Sequence, residues 1–125
     1  MAIRYIGNDI DGVDVDTSGD FWILGRNNTL SNAADAFDFL TFTGSQLAIE
    51  GAIFSEADGV DSDTASANNS VVVSETGSII AASDGIEMAG DNHEVINNGE
   101  VTGLGDRGIQ MIGDGSRVTN TGAIF

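Results

Sequence analysis

The chain has 125 residues, with 20 acidic side chains against four basic ones, all arginine, and a formal net charge of −16 at pH 7. Nucleic acid and anionic membrane surfaces are excluded as partners, because both need a basic face, whereas cations are favoured. Hydrophobic residues at 41% are too many for a disordered acidic tail, and the lack of cysteine removes disulfides, thiolate metal sites and a cysteine nucleophile.

The first sixteen residues, MAIRYIGNDIDGVDVD, turn acidic at once and hold no apolar run of the signal-peptide kind, so a cleavable secretion signal is not expected. No later stretch approaches the roughly 18 apolar residues of a membrane-spanning helix, and membrane insertion is not expected either. The densest acidic run follows: Asp9, Asp11, Asp14, Asp16 and Asp20. Within it Asp14, Asp16 and Ser18 place oxygens at the first, third and fifth positions of a loop, with Gly19 and Asp20 next. Alternate residues of this type turn their oxygens around a hard cation. Calcium is therefore the expected ion, with Asp14, Asp16, Ser18 and Asp20 as its ligands. The twelfth position is Gly25, where an EF-hand carries a bidentate Glu, and the alternative reading is a solvated acidic turn.

Phe21, Trp22, Phe37, Phe39 and Phe42 concentrate bulk before residue 44. An open solenoid end needs such cover, so residues 1–43 read as an N-terminal cap with irregular first coils. Within that segment RNNTLSN at 26–32 resembles DNHEVIN at 91–97.

Residues 44–125 carry a repeat. Gly51, Gly77, Gly99 and Gly122 mark it at intervals of 26, 22 and 23 residues, and the string GAIF stands at 51–54 and again at 122–125. Four residues before each mark stand Leu47, Val73, Val95 and Val118; two residues after stand Ile53, Ile79, Val101 and Ile124. A third element recurs as DGVDSD at 58–63, DGIEMAGD at 84–91 and RGIQMIGD at 107–114, with DGVDVD at 11–16 as an earlier copy. It aligns Val60 with Ile86 and Ile109, and Ser62 with Met88 and Met111. Each element alternates apolar and polar residues between Gly, Asn, Asp or Ser, which is strand-and-turn punctuation. Three strands per 22–26 residues predict an all-β parallel β-helix (β-solenoid) of about five coils, stacked about 4.8 Å apart. Coils longer than the roughly 18 residues of the left-handed hexapeptide type favour a right-handed helix. The motif is still running at Phe125, so the last coil is expected either to continue in a longer protein or to pair with another chain.

Other candidates have simpler readings. Asp58, Asp61 and Asp63, then Asp84, Glu87, Asp91, Asp106 and Asp114, would stack acidic groups in successive coils. Salt relieves such repulsion, and Arg107 is expected to pair with Asp84 rather than leave room for a metal. Asn97 and Asn120 share one repeat position and predict a structural ladder. Met88 and Met111 read as core, and His93 as an inert surface imidazole in a turn. Scattered carboxylates at Asp61, Asp63, Glu87 and Glu94 form no convincing acid–base pair. GLGDRG at 103–108 lacks the lysine and helix of a phosphate loop. Catalysis is not expected.

The strings INNGEVTG, GDGSRVTN and VTNTGAIF resemble the β-helix repeats of large acidic bacterial secreted and surface proteins, of the hemolysin-type calcium-binding and adhesin kind. The resemblance covers residues 44–125. It implies a non-catalytic stalk or adhesive surface, secreted or on the cell surface, exported without an N-terminal signal. The partners it implies are neighbouring coils of the parent protein. No complete GGxGxDxUx calcium nonapeptide is present, which leaves the 14–20 loop as the expected calcium site. Two alternatives remain: a calcium-dependent polysaccharide-acting enzyme, and a fibre module that self-associates through its uncapped C-terminal coil.

Overall fold

Alternation sends every second side chain of a strand inward, and the repeat brings equivalent inward positions over one another. In the computed structural model, which describes all 125 residues, the chain winds into about five coils of a parallel β-solenoid without a helix. The first coil contributes β1 (Ile3–Ile6) and β2 (Val13–Asp14); the second contributes β3 (Phe21–Leu24), β4 (Thr29–Asn32) and β5 (Phe37–Asp38). Then follow β6 (Gln46–Ile49), β7 (Ala52–Ser55) and β8 (Val60–Ser62), and after them β9 (Ser70–Val73), β10 (Ser78–Ala81) and β11 (Ile86–Ala89). The next coil holds β12 (Glu94–Asn97), β13 (Glu100–Gly103) and β14 (Ile109–Ile112), and β15 (Arg117–Asn120) and β16 (Ala123–Ile124) begin a further turn.

Equivalent strands of successive coils make three parallel sheets. Sheet 1 runs β1-β3-β6-β9-β12-β15, sheet 2 β4-β7-β10-β13-β16 and sheet 3 β2-β5-β8-β11-β14. Residues 1–43, expected as a cap with irregular coils, supply five of these rungs. Three of their aromatics lie inside: Phe37 and Phe39 are fully buried, and Trp22 and Phe37 meet edge to face with centroids 5.7 Å apart.

Three predicted columns stand in register: Ile53–Ile79–Val101–Ile124, Val60–Ile86–Ile109 and Ser62–Met88–Met111. The earlier copy at 11–16 also fits, through Val13–Phe37–Val60. Two alignments are corrected. Leu47 pairs with Val71, not Val73, because the corner after β9 takes four residues, Ser74 to Gly77, where those after β6, β12 and β15 take two. The segment 26–32 aligns with the strand after Gly51 rather than with 91–97: Leu30 pairs with Ile53 in sheet 2, while Val95 lies in sheet 1.

The marker glycines are explained by backbone packing between coils. A Cβ at Gly99 would stand 2.3 Å from the carbonyl oxygens of Ser74 and Gly77, and one at Gly77 2.2 Å from that of Ile49. No side chain fits where one corner rests on the corner below.

Candidate functional site

Sheet 3 gathers the acidic residues. Its outward positions stack Asp14, Asp38, Asp61 and Glu87, ending in Gln110. Beside this column, in the turn that enters sheet 3, runs a second one of Asp35, Asp58 and Asp84. Each of its carboxylates accepts a backbone N–H from the next coil: Asp58 to Asp35 at 3.0 Å, Asp84 to Asp58 at 2.9 Å and Arg107 to Asp84 at 2.7 Å. The Asp84–Arg107 pairing is thus made by the main chain. The Arg107 guanidinium turns instead to Asp106 and Gln110, at 2.8 and 2.9 Å.

The two columns converge in two places. Asp35, Asp38 and Asp61 bring one oxygen each to within 4.8 Å of one another, and so do Asp58, Asp84 and Glu87. Oxygens on opposite sides of a calcium ion, each about 2.4 Å from it, are about 4.8 Å apart, so both triads suit a shared hard cation. Their electrostatics agree. Partial burial, reinforced by neighbouring carboxylates, pushes Asp61 up to about 7 and Asp38 to about 6. Burial likewise raises Asp35 and Glu87, the latter also through its hydrogen bond with Asp84. Partly buried carboxylates a few ångströms apart need protons or cations between them, and exposed salt alone screens them less than the sequence suggested.

The four residues expected to ligate calcium have these partners. Asp14 heads the outward column of sheet 3, beside Asp38. Asp16 lies 3.3 Å from Arg4, and the Ser18 hydroxyl accepts the Thr43 N–H at 3.1 Å. Asp20 is buried; it accepts hydrogen bonds from Thr17, the Ala2 N–H at 2.9 Å and Arg4 Nε at 2.7 Å. These bonds, that from Thr17 above all, hold its carboxyl down at about 2.

Asp20 belongs to a polar column that sequence spacing did not disclose. The residues just before the strands of sheet 1 are Asp20, Ser45, Asn69, His93 and Ser116, and the first four are buried. Ser45 N–H donates to Asn69 Oδ1 at 2.9 Å, Asn69 N–H to His93 Nδ1 at 3.1 Å and His93 N–H to Ser116 Oγ at 3.0 Å. His93, expected at the surface, is therefore interior. Asn92, at φ 59°, turns the chain so that the imidazole points inward. With Nδ1 accepting a backbone N–H, Nε2 carries the hydrogen, facing Ala89 O at 2.9 Å and Ser66 Oγ at 3.2 Å. The predicted asparagine ladder is present: Asn97 Nδ2 donates to Asn120 Oδ1 at 2.9 Å.

Fold and wall together define a repeat module of the parallel β-solenoid class. Comparison with protein-family models, with curated proteins and with solved structures finds no match to this chain.

Proposed function

We propose that the chain is a non-catalytic structural and interaction module of a larger secreted or cell-surface protein, stiffened by calcium held between coils. The observation that carries this reading is the pair of carboxylate triads on sheet 3, each drawn from more than one coil. A cation there would tie successive rungs together, which is how a segment could stay loose in a calcium-poor cytoplasm and set rigid outside. Outward repetition of polar side chains suits a stalk or adhesive surface, as the resemblance of residues 44–125 implies. The metal set proposed is Asp35, Asp38 and Asp61 with Asp58, Asp84 and Glu87, in place of the 14–20 loop.

Thermal unfolding in EDTA, in magnesium and in calcium at matched ionic strength tests it. At a hundredfold excess over Kd, binding adds about 2.7 kcal/mol, or about 10 °C in Tm for a chain of this size. The rise should be specific to calcium and should shrink in Asp61→Asn. An unchanged Tm would leave a passive acidic spacer. The enzyme reading has one observation in its favour: Asp61 and Glu87 line a cleft of about 470 Å³ with Thr41, Asp63 and Thr64. Release of reducing ends from acidic or neutral polysaccharides, abolished by Asp61→Asn, would establish it instead.

A further inference from the structure

We infer that the outer face of sheet 1 is a self-association surface on which a second copy of this chain packs about a two-fold axis. Charge is unevenly distributed over the solenoid. Glu94 is the only acidic residue in the six strands of sheet 1, and Arg117, its partner in register on β15, bonds it through Nε at 3.0 Å. Arg4 turns inward, its guanidinium 5.0 Å from the Trp22 ring centroid. The outward face of this sheet is therefore neutral in a molecule of net charge −16. Two such molecules repel wherever acidic faces meet, and this is the side on which they approach without that cost.

Half of this face is apolar, beside an outward row of Ile3, Phe21, Gln46, Ser70, Glu94 and Arg117. The apolar row runs Tyr5–Ile23–Ala48–Val72–Ile96, with Tyr5 79% exposed and the rest half-buried. Its rungs recur about every 4.8 Å, and only a sheet of the same repeat keeps its side-chain rows in step across six of them. A second copy has that repeat by construction. A two-fold axis between β6 and β9 sets Ala48 against Val72 and Ile23 against Ile96, small against large at the centre. At the rim it sets Tyr5 of one copy against Thr119 of the other, the next member of the same row. Strands about 13 Å long over roughly 24 Å of rungs give a footprint near 300 Å². Stable interfaces bury about 800 Å² per partner, so this dimer is weak and concentration-dependent. The inference stands without the calcium reading.

Sedimentation velocity of the whole chain, in EDTA and over a concentration series at low and high NaCl, tests it. The expected result is a monomer that shifts toward a dimer as concentration rises, more so at high salt, which screens the remaining repulsion. Val72→Lys should be monomeric throughout with an unchanged circular-dichroism spectrum, while Ile80→Lys, outward on sheet 2, should dimerise like the parent. Should Val72→Lys lose its spectrum, Val72→Thr replaces it, and association should weaken roughly tenfold. A monomer at every concentration in high salt would overturn the inference, as would a dimer indifferent to both changes at Val72 or lost in Ile80→Lys. Growth beyond the dimer would overturn it too, because an isologous pairing closes.

Discussion

Four buried polar residues, Asp20, Ser45, Asn69 and His93, do one job in successive coils: each presents an acceptor where the strand of sheet 1 begins. Truncating one leaves main-chain donors with no partner and no water. For His93→Ala the Asn69 N–H loses its acceptor and a cavity opens, so a loss of about 3 kcal/mol is expected, read as a lower urea midpoint at unchanged m value. His93→Asn should recover part of it, since Asn69 fills the same position in the coil before. The marker glycines make a sharper case. Gly99→Ala forces a methyl to 2.3 Å from two carbonyl oxygens and should cost at least about 2 kcal/mol. Gly19→Ala meets no atom within 4 Å and suffers only from its φ of 81°, so about 1 kcal/mol is expected. Equal losses at the two glycines would refute the close-packing account.

Among the three sheets, sheet 3 is the one whose carboxyls lose stability as pH rises. A carboxyl whose pKa is higher folded than unfolded binds its proton more tightly in the native chain. The stability it contributes is therefore present below the unfolded value of about 4 and is lost as pH rises through the folded one. Asp38 at about 6 and Asp61 at about 7 set that window, with Asp35 and Glu87 raised in the same sense. Asp20, at about 2, acts oppositely: its contribution is present above about 4 and disappears toward pH 2. In EDTA, stability should thus peak between about pH 4 and 5 and fall toward pH 8, by on the order of 1–3 kcal/mol once solvent screening is allowed for, read as a falling Tm. Asp61→Asn should flatten the upper limb. A Tm that climbs steadily from pH 5 to 8 in EDTA would mean that the wall carries no such strain.

A solenoid is nearly one-dimensional, so much of it is legible in the spacing of a few residue types and the rest depends on corner lengths. The column headed by Ile53 could be read because each member stands two residues after a marker glycine, and those headed by Val60 and Ser62 because each copy follows its own Gly, at Gly59, Gly85 and Gly108. The Leu47 column slipped by two residues because Ser74–Gly77 is longer than the corners after β6, β12 and β15, and alternation hides an even-numbered slip. The triad of Asp58, Asp84 and Glu87 is visible as stacked acidic groups, discounted because salt and Arg107 are expected to relieve it. That of Asp35, Asp38 and Asp61 was missed for a related reason. Asp35 and Asp38 lie in the segment read as a cap, and a triad appears only when that segment is threaded as a coil. In the 14–20 loop, Asp14 joins the outward column of sheet 3, Asp20 joins the polar column that opens sheet 1, and Arg4 contacts both Asp16 and Asp20. One-dimensionality also predicts a gradient of stability along the axis. At the N-terminal end Arg4 closes over Trp22 and bonds Asp20, whereas at the other end Val118 and Ile124 are 41% and 37% exposed. Val71 and Val118 occupy the same inward column, but Val71 is fully buried. Val71→Ala should therefore cost about 2–3 kcal/mol and Val118→Ala less than about 1 kcal/mol in urea unfolding of the 125-residue chain. Hydrogen exchange should follow the same order, with amides of β14–β16 exchanging first and those of β6 and β9 last. If the two valines cost the same, the last rung is covered in solution, and the covering partner is what the exchange pattern would then locate.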